Sequence, residues 1–177
     1  TPVQTTGTST TDVMSQNAVS SMVFADPGTD TRIQIGSGAN GNWTDSIAIG
    51  SSSTIYATNA TAIGTSTSAR GNSVAIGKNA KAGTASAHTN TVAIGYSAQA
   101  QAIGAIALGR DSNATARGEM NIGTSNTGWG YNASNYRLIS GVYDGQNAHD
   151  VATVGQINAT IDEINTALGT SIPHIGA

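Results

Sequence analysis

Seven times between residues 33 and 123 the sequence repeats one short phrase: apolar or β-branched, variable, apolar, glycine. The strong copies are Ile47-Ala48-Ile49-Gly50, Thr61-Ala62-Ile63-Gly64, Val74-Ala75-Ile76-Gly77, Val92-Ala93-Ile94-Gly95, Ile106-Ala107-Leu108-Gly109 and Met120-Asn121-Ile122-Gly123. Ile33-Gln34-Ile35-Gly36 is a weaker first copy. Successive glycines lie 14, 14, 13, 18, 14 and 14 residues apart. Each interval also holds a second alternation, written Ser53-Thr54-Ile55, Ala80-Lys81-Ala82, Ala98-Gln99-Ala100 and Ser112-Asn113-Ala114. Both stretches have period two, the period of a strand. Each unit therefore predicts strand, turn, strand, turn. Fourteen residues are too few for a strand and a helix but enough for one coil of a narrow β-solenoid.

Stacked coils pair each short strand with its copies above and below. Ile49, Ile63, Ile76, Ile94, Leu108 and Ile122 are expected to form an internal ladder, the core of the roll, with Ala supplied by the opposite wall. Gly50, Gly64, Gly77, Gly95, Gly109 and Gly123 are expected at turns that need positive φ or a close backbone approach. The interval of 18 predicts one coil with four extra residues looped out within 85–91. At ~4.8 Å per coil, six coils make a rod about 30 Å long. Each coil buries little by itself, so several copies are expected to pack side by side.

Beyond Gly123 the pattern breaks. Residues 124–136 are turn-rich and aromatic, as in a cap, and 137–145 read as a short strand and turn. Helical spacing then takes over: Val154, Ile157, Ile161, Ile164 and Leu168 are separated by 3, 4, 3 and 4, the a/d spacing of a coiled coil. Asp150 is the expected N-cap and Gly169 the expected stop. Two heptads are too short to stand alone, and Ile at both a and d favours trimers or higher. These five residues are the expected trimer seam. Upstream, Asp12–Val23 predicts a short helix with Met14, Ala18 and Met22 on one stripe, and Asp26-Pro27-Gly28 a turn. The organisation expected is a connector (1–32), repeats (33–123), a cap and neck transition (124–150), and a neck with a short coiled-coil helix (151–177).

Composition narrows the function classes. Ala, Thr, Gly, Ser and Asn make up 60% of the chain, against three Leu and one Phe, so a thick two-layer core is excluded. Charged residues are 10% and Pro only three, which argues against disorder. A net charge of −3 gives no general field for nucleic acid. No Cys means no disulfide and no thiolate chemistry. No apolar run approaches the ~20 residues of a membrane helix, so no membrane insertion is expected. Thr1-Pro2 opens no signal peptide, which fits a fragment or a processed product.

Candidate chemistry is sparse. His88, His149 and His174 are far apart and lack zinc-ligand spacing, so neither metal nor cofactor is expected. Asp111 and Glu119 are the one carboxylate pair within a repeat, and they read as solvated turn residues. Tyr56 and Tyr96 are the large aromatics of the repeats, with Arg70, Lys78, Lys81, Arg110 and Arg117 as bases. They are candidate receptor contacts, with inter-chain packing as the other reading.

The Ala-Ile-Gly units with intervening Ala-x-Ala closely resemble the head repeats of YadA-like trimeric autotransporter adhesins. Ile139-Ser140-Gly141-Val142, followed by residues 147–157 (Asn-Ala-His-Asp-Val-Ala-Thr-Val-Gly-Gln-Ile), is similar to the neck of that family. The resemblance implies a left-handed parallel β-roll in each chain and three rolls side by side, closed by a neck. Thr5–Val19 instead looks like a segment that recurs in phage tail-fibre and baseplate-associated proteins. Together these readings imply a non-enzymatic homotrimeric fibre module of a phage or phage-tail-like particle. Its partners would be other tail or baseplate proteins and a host-surface glycan or protein, and its place the virion tail. The head of a bacterial cell-surface adhesin is the alternative, and a glycan-cleaving tailspike a third reading.

Overall fold

The computed structural model describes residues 22–24, 32–123 and 137–176. It divides into two compact units, Thr1–Arg137 and Leu138–Ala177, and this division falls within the expected 124–150 transition. The expected cap at 124–136, the turn at 26–28 and residues 12–21 of the expected N-terminal helix lie outside the described residues.

The first unit is a parallel β-roll built from two ladders. The long ladder stacks β1 (Met22–Phe24), β2 (Arg32–Ile35), β3 (Ser46–Ile49), β5 (Thr61–Ile63), β7 (Val74–Ile76), β9 (Val92–Ile94), β11 (Ile106–Leu108) and β13 (Met120–Asn121). The short ladder stacks β4 (Thr54–Ile55), β6 (Ser68–Ala69), β8 (Lys81–Ala82), β10 (Gln99–Ala100) and β12 (Asn113–Ala114). Every pair is parallel except β1 with β2, which is antiparallel. Met22 and Val23 thus belong to an edge strand, not to the C-terminal end of a helix. β-branched and aromatic residues suit a strand, and the backbone of β2 supplies its partner.

The repeats stack in phase. Ala48, Ala62, Ala75, Ala93 and Ala107 form one column, flanked by columns running through Ile47, Thr61, Val74, Val92 and Ile106 and through Ile49, Ile63, Ile76, Ile94 and Leu108. Alternation lets either the central residue or its two flanking neighbours point inward. The structure puts the Ala inside: all five are fully buried. This corrects the expected core. Ile49, Ile63 and Ile94 are half-buried on the outside, as is Ile122 just after β13, while Ile76 and Leu108 are 37% and 42% exposed. A coil this narrow cannot take two bulky side chains from one strand, so the pair faces out and the methyl faces in.

Four inward columns complete the interior, one from each strand and one from each turn. Thirteen of these positions are Ala, six are Ser or Thr, and Ile55 is the one large aliphatic. Most of the inward hydroxyls donate to backbone carbonyls: Thr67 to Gly77 (2.6 Å), Ser112 to Gly109 (2.7 Å), Ser46 to Gly41 (2.9 Å) and Ser73 to Gly71 (3.1 Å). The lining is therefore methyl- or hydroxyl-sized almost throughout, and its hydroxyls are bonded within the protein except that of Ser53, which is buried without a partner.

The turns carry two left-handed positions per coil. One is filled by Ser52, Ser66, Asn79, Ser97 and Asp111, the other by Asp45, Asn59, Asn72 and Asn90, with Gly104 and Gly118 at the same place in later coils. Asn, Asp and Ser take this conformation at modest cost. The repeat glycines are different. Gly95 has φ 135°, and a Cβ there would lie 2.5 Å from the carbonyl carbon of Gly109 in the next coil. Gly50, Gly64 and Gly77 sit in the same way under the following rung, and Gly109 lies beneath the Arg137 guanidinium. Gly123 follows β13 at the end of the described roll. The extra residues of the 18-residue interval form an outward turn across 83–90, closed by the His88 N–H donating to the Ala85 carbonyl (2.9 Å).

Residues 137–145, which run from the end of the first unit into the second, contain no strand, because no ladder partner reaches their backbone among the described residues. Helix α1 (Val154–Leu168) starts at Thr153 rather than Asp150. The Thr153 hydroxyl accepts from the Gln156 N–H, and the Gln156 carboxamide accepts from the Thr153 N–H (3.1 Å), a reciprocal capping box. Asp150 caps the preceding turn instead. Gly169 ends the helix at φ 62°.

The two classes of turn predict opposite responses. Gly104→Asn is expected to be neutral or mildly stabilising, by up to ~1 kcal/mol, since Asn already serves that column in other coils. Gly95→Asn is expected to cost about 3 kcal/mol or more through strain and collision with the next rung. Chemical denaturation of both variants checks this; equal effects would refute the close-approach account.

Candidate functional site

The outward columns make one face of the roll an apolar stripe, two side chains wide and five rungs long, interrupted at Thr61. Ile35 extends it at one end and Met120, 63% exposed, at the other. Nothing among the described residues covers it. Helix α1 shows the same property: it has no buried residue, and Val154, Ile157, Ile164 and Leu168 are exposed, with Ile161 half-buried. The expected seam residues thus share a bare stripe. Isolated apolar residues are ordinary on a surface, whereas a continuous row marks an interface.

The opposite face is polar. The outward positions of the short ladder are Thr54, Ser68, Lys81, Gln99 and Asn113. At the end of this ladder Tyr56 and Arg70 fall in adjacent coils, and the Arg70 guanidinium lies 4.8 Å from the Tyr56 ring centroid. Tyr96 occupies the other corner, after the long ladder. Arg110 stacks on it at 5.2 Å and pairs with Asp111 at 3.2 Å. Arg137 donates to the Arg110 carbonyl (2.7 Å) and steadies that corner. The two tyrosines are each about half exposed but sit at different corners, so they do not form one site.

The carboxylates are structural. Glu119 accepts from the N–H groups of Thr115 (2.7 Å) and Ala116 (2.8 Å) and from the Asn121 amide (3.2 Å). The Ala116 N–H, then Asn121 and the Thr115 N–H, hold its pKa below the usual value. A glycosidase acid needs a shift in the opposite direction. Of the histidines, His88 contacts the Thr84 hydroxyl (3.3 Å), His174 contacts Asp162 (2.8 Å), and His149 is exposed in the neck loop. No group of three or more His, Cys, Asp or Glu able to hold a metal occurs among the described residues. No helix among them is long and apolar enough to cross a membrane.

Sequence reasoning missed Gln156. Its carboxamide accepts from the Gly145 N–H (2.9 Å) and donates to the Gly145 carbonyl (2.8 Å), pairing with both backbone groups of one residue as a neighbouring strand would. The Thr153 hydroxyl meanwhile donates to Asp144 (2.6 Å). The available signal was the Thr-x-x-Gln spacing of a capping box. The chain after Gly169 was missed as well. It runs back along α1: Asn165 brackets Ile172 (2.7 and 2.9 Å) and Asn158 brackets Ile175 (2.9 and 3.4 Å), with His174 on Asp162 between them. Seven helical residues rise ~10.5 Å and three extended residues about 10 Å, so the two asparagines match the returning strap.

Residues 44–67, 56–80, 71–87 and 89–112 match the YadA head domain repeat (2 copies). Among solved structures the chain is similar to the collagen-binding domain of the Yersinia adhesin YadA, with 26% identity and a TM-score of 0.55. That similarity covers 75% of this chain and 76% of the Yersinia chain. No curated protein matches the chain. The roll thus has the fold of a YadA head.

Asp150 makes the neck pH-sensitive. The Gln146 N–H, then the N–H and side chain of Asn147, hold its pKa below the usual value. Its contribution is full above the unfolded value of ~3.9 and disappears as the pH falls through the lower folded value. NMR of the carboxyl carbons should show Asp150 titrating below an unstructured Asp, and Asp150→Asn should remove this part of the acid dependence of neck unfolding.

Proposed function

We propose that the chain is the head and neck of a homotrimeric surface adhesin of the bacterial autotransporter kind, displayed outside the cell and binding a host-surface protein or glycan. The observation that carries the reading is the double apolar column on the outside of the roll. A chain that keeps Ala within and exports Ile needs a neighbour to cover the Ile. The bare stripe on α1 supports the same partner, a second and third copy, with Val154, Ile157, Ile161, Ile164 and Leu168 along the shared axis. The YadA repeats and the similarity to a collagen-binding adhesin domain support the adhesive role. Three copies turn weak single contacts into avidity, and Tyr56 and Tyr96 are the proposed receptor contacts.

A phage tail fibre carrying the same head is the second reading. It rests on Thr5–Val19, which lie outside the described residues, and tail or baseplate partners belong to that reading. Both readings are structural and adhesive rather than catalytic.

Sedimentation equilibrium should return three times the 17.7 kDa chain mass. Ile63→Asp with Ile94→Asp should shift the species to monomer and abolish adhesion to immobilised collagen or host cells. A folded wild-type monomer would end the trimer reading. A trimer adhering to neither surface would end the adhesive one.

A further inference from the structure

Charge is unevenly distributed along the chain. Residues 46–110, the middle coils of the roll, contain Arg70, Lys78, Lys81 and Arg110 and no Asp or Glu. All ten carboxylates lie before or after this stretch, so a chain of net charge −3 carries a purely cationic middle. Arg110 is paired with Asp111. No ion pair involves Arg70, Lys78 or Lys81 among the described residues.

These three cations span the polar face over two adjacent coils: Lys78 at the corner after the long ladder, Lys81 within the short ladder and Arg70 at that ladder's far end. Lys81 points outward from the short ladder and is exposed, as is Lys78 three residues earlier in the same coil. Arg70 lies one coil below, beneath Gly83, where its N–H donates to the Ala82 carbonyl (3.0 Å). The ring of Tyr56 supports its guanidinium. Around them the outward side chains are hydroxyls and amides, one per rung: Thr54, Ser68, Gln99 and Asn113. The apolar face of the roll is the one that the proposed trimer covers, so the polar and cationic face stays open.

We propose that this face binds an acidic polysaccharide lying across these adjacent coils, with Arg70, Lys78 and Lys81 pairing its sulfates or carboxylates and the hydroxyl and amide rows bonding its sugar hydroxyls. Charge complementarity selects a polyanion. The chemistry of the face selects a glycan among polyanions. Single-stranded nucleic acid wants successive aromatic platforms, and this ladder end offers one tyrosine. Duplex recognition wants an element that enters a groove, and strands of two residues in a flat ladder offer none. The proposal deepens the adhesive reading and rests on the trimer for its orientation and multivalency.

The test uses the whole chain, with its mass established first by sedimentation. Calorimetry with a size-defined heparin oligosaccharide is run beside neutral dextran and single- and double-stranded DNA. Heparin binding is expected to weaken as NaCl rises from about 50 to about 300 mM. Dextran should not bind. The triple variant Arg70→Gln, Lys78→Gln, Lys81→Gln should lose affinity at least about tenfold with an unchanged melting curve. Lys78→Arg with Lys81→Arg should retain it. The proposal is overturned by no heparin binding at low salt, by an unaffected triple variant, or by DNA binding as tight as heparin. A monomer that still binds heparin sinks the trimer and leaves this face standing; a trimer that ignores heparin does the reverse.

Discussion

One steric constraint runs through the whole head: in each apolar-x-apolar triplet of β3, β5, β7, β9 and β11 only the central residue faces inward, and the space it enters accepts a methyl. Alternation is a property of any strand. What is particular here is the narrowness of a coil closed by turns of only a few residues. Ala48, Ala62, Ala75, Ala93 and Ala107 meet a second wall that is also Ala, apart from Ile55. Such an interior packs densely but removes little apolar surface from water. The large side chains that would ordinarily stabilise a domain of this length stand on its exterior. The described roll therefore leaves its bulk uncovered, and in the proposed trimer the other copies supply the remaining burial.

The same narrowness dictates the turns. Coils in register bring the backbone of Gly50, Gly64, Gly77 and Gly95 against the carbonyl of the next repeat glycine, closer than any Cβ allows. Two further positions per coil must turn left-handed, and Ser, Asn and Asp fill them because their short polar side chains tolerate that region. A chain rich in Ala, Gly, Ser, Thr and Asn is what this geometry requires. The neck solves a related problem differently: side-chain amides of Gln156, Asn158 and Asn165 pair with peptide groups where no strand is available.

The ladders, the parallel coils, the looped insertion and the C-terminal helix were legible because periods of two, fourteen and three-to-four survive in the residue types. Which face of the strand points inward was not. Ile-Ala-Ile is symmetric under that choice, and the usual expectation that bulk goes inside gives the wrong answer when the interior is thinner than two Ile. Asp150 was the wrong cap for a comparable reason: an acidic residue near a helix start is a fair signal, but Thr153 with Gln156 satisfies two backbone groups at once. The strap along α1 escaped because Asn158, Asp162 and Asn165 look like ordinary solvated positions until a backbone arrives beside them.

Exported bulk ties stability to display. In a domain with its own core, folding and assembly are separate events, and a binding face exists in single copies before any oligomer forms. Here the residues that complete the burial are those of the apolar face. In the proposed trimer, whatever stabilises the roll also sets three polar faces outward at fixed spacing. A contact too weak to hold one chain then acts three times at a high effective concentration. Substitutions on the apolar face and on the polar face must therefore fail differently, the first by dissolving the scaffold and its avidity together, the second by silencing binding on an intact one.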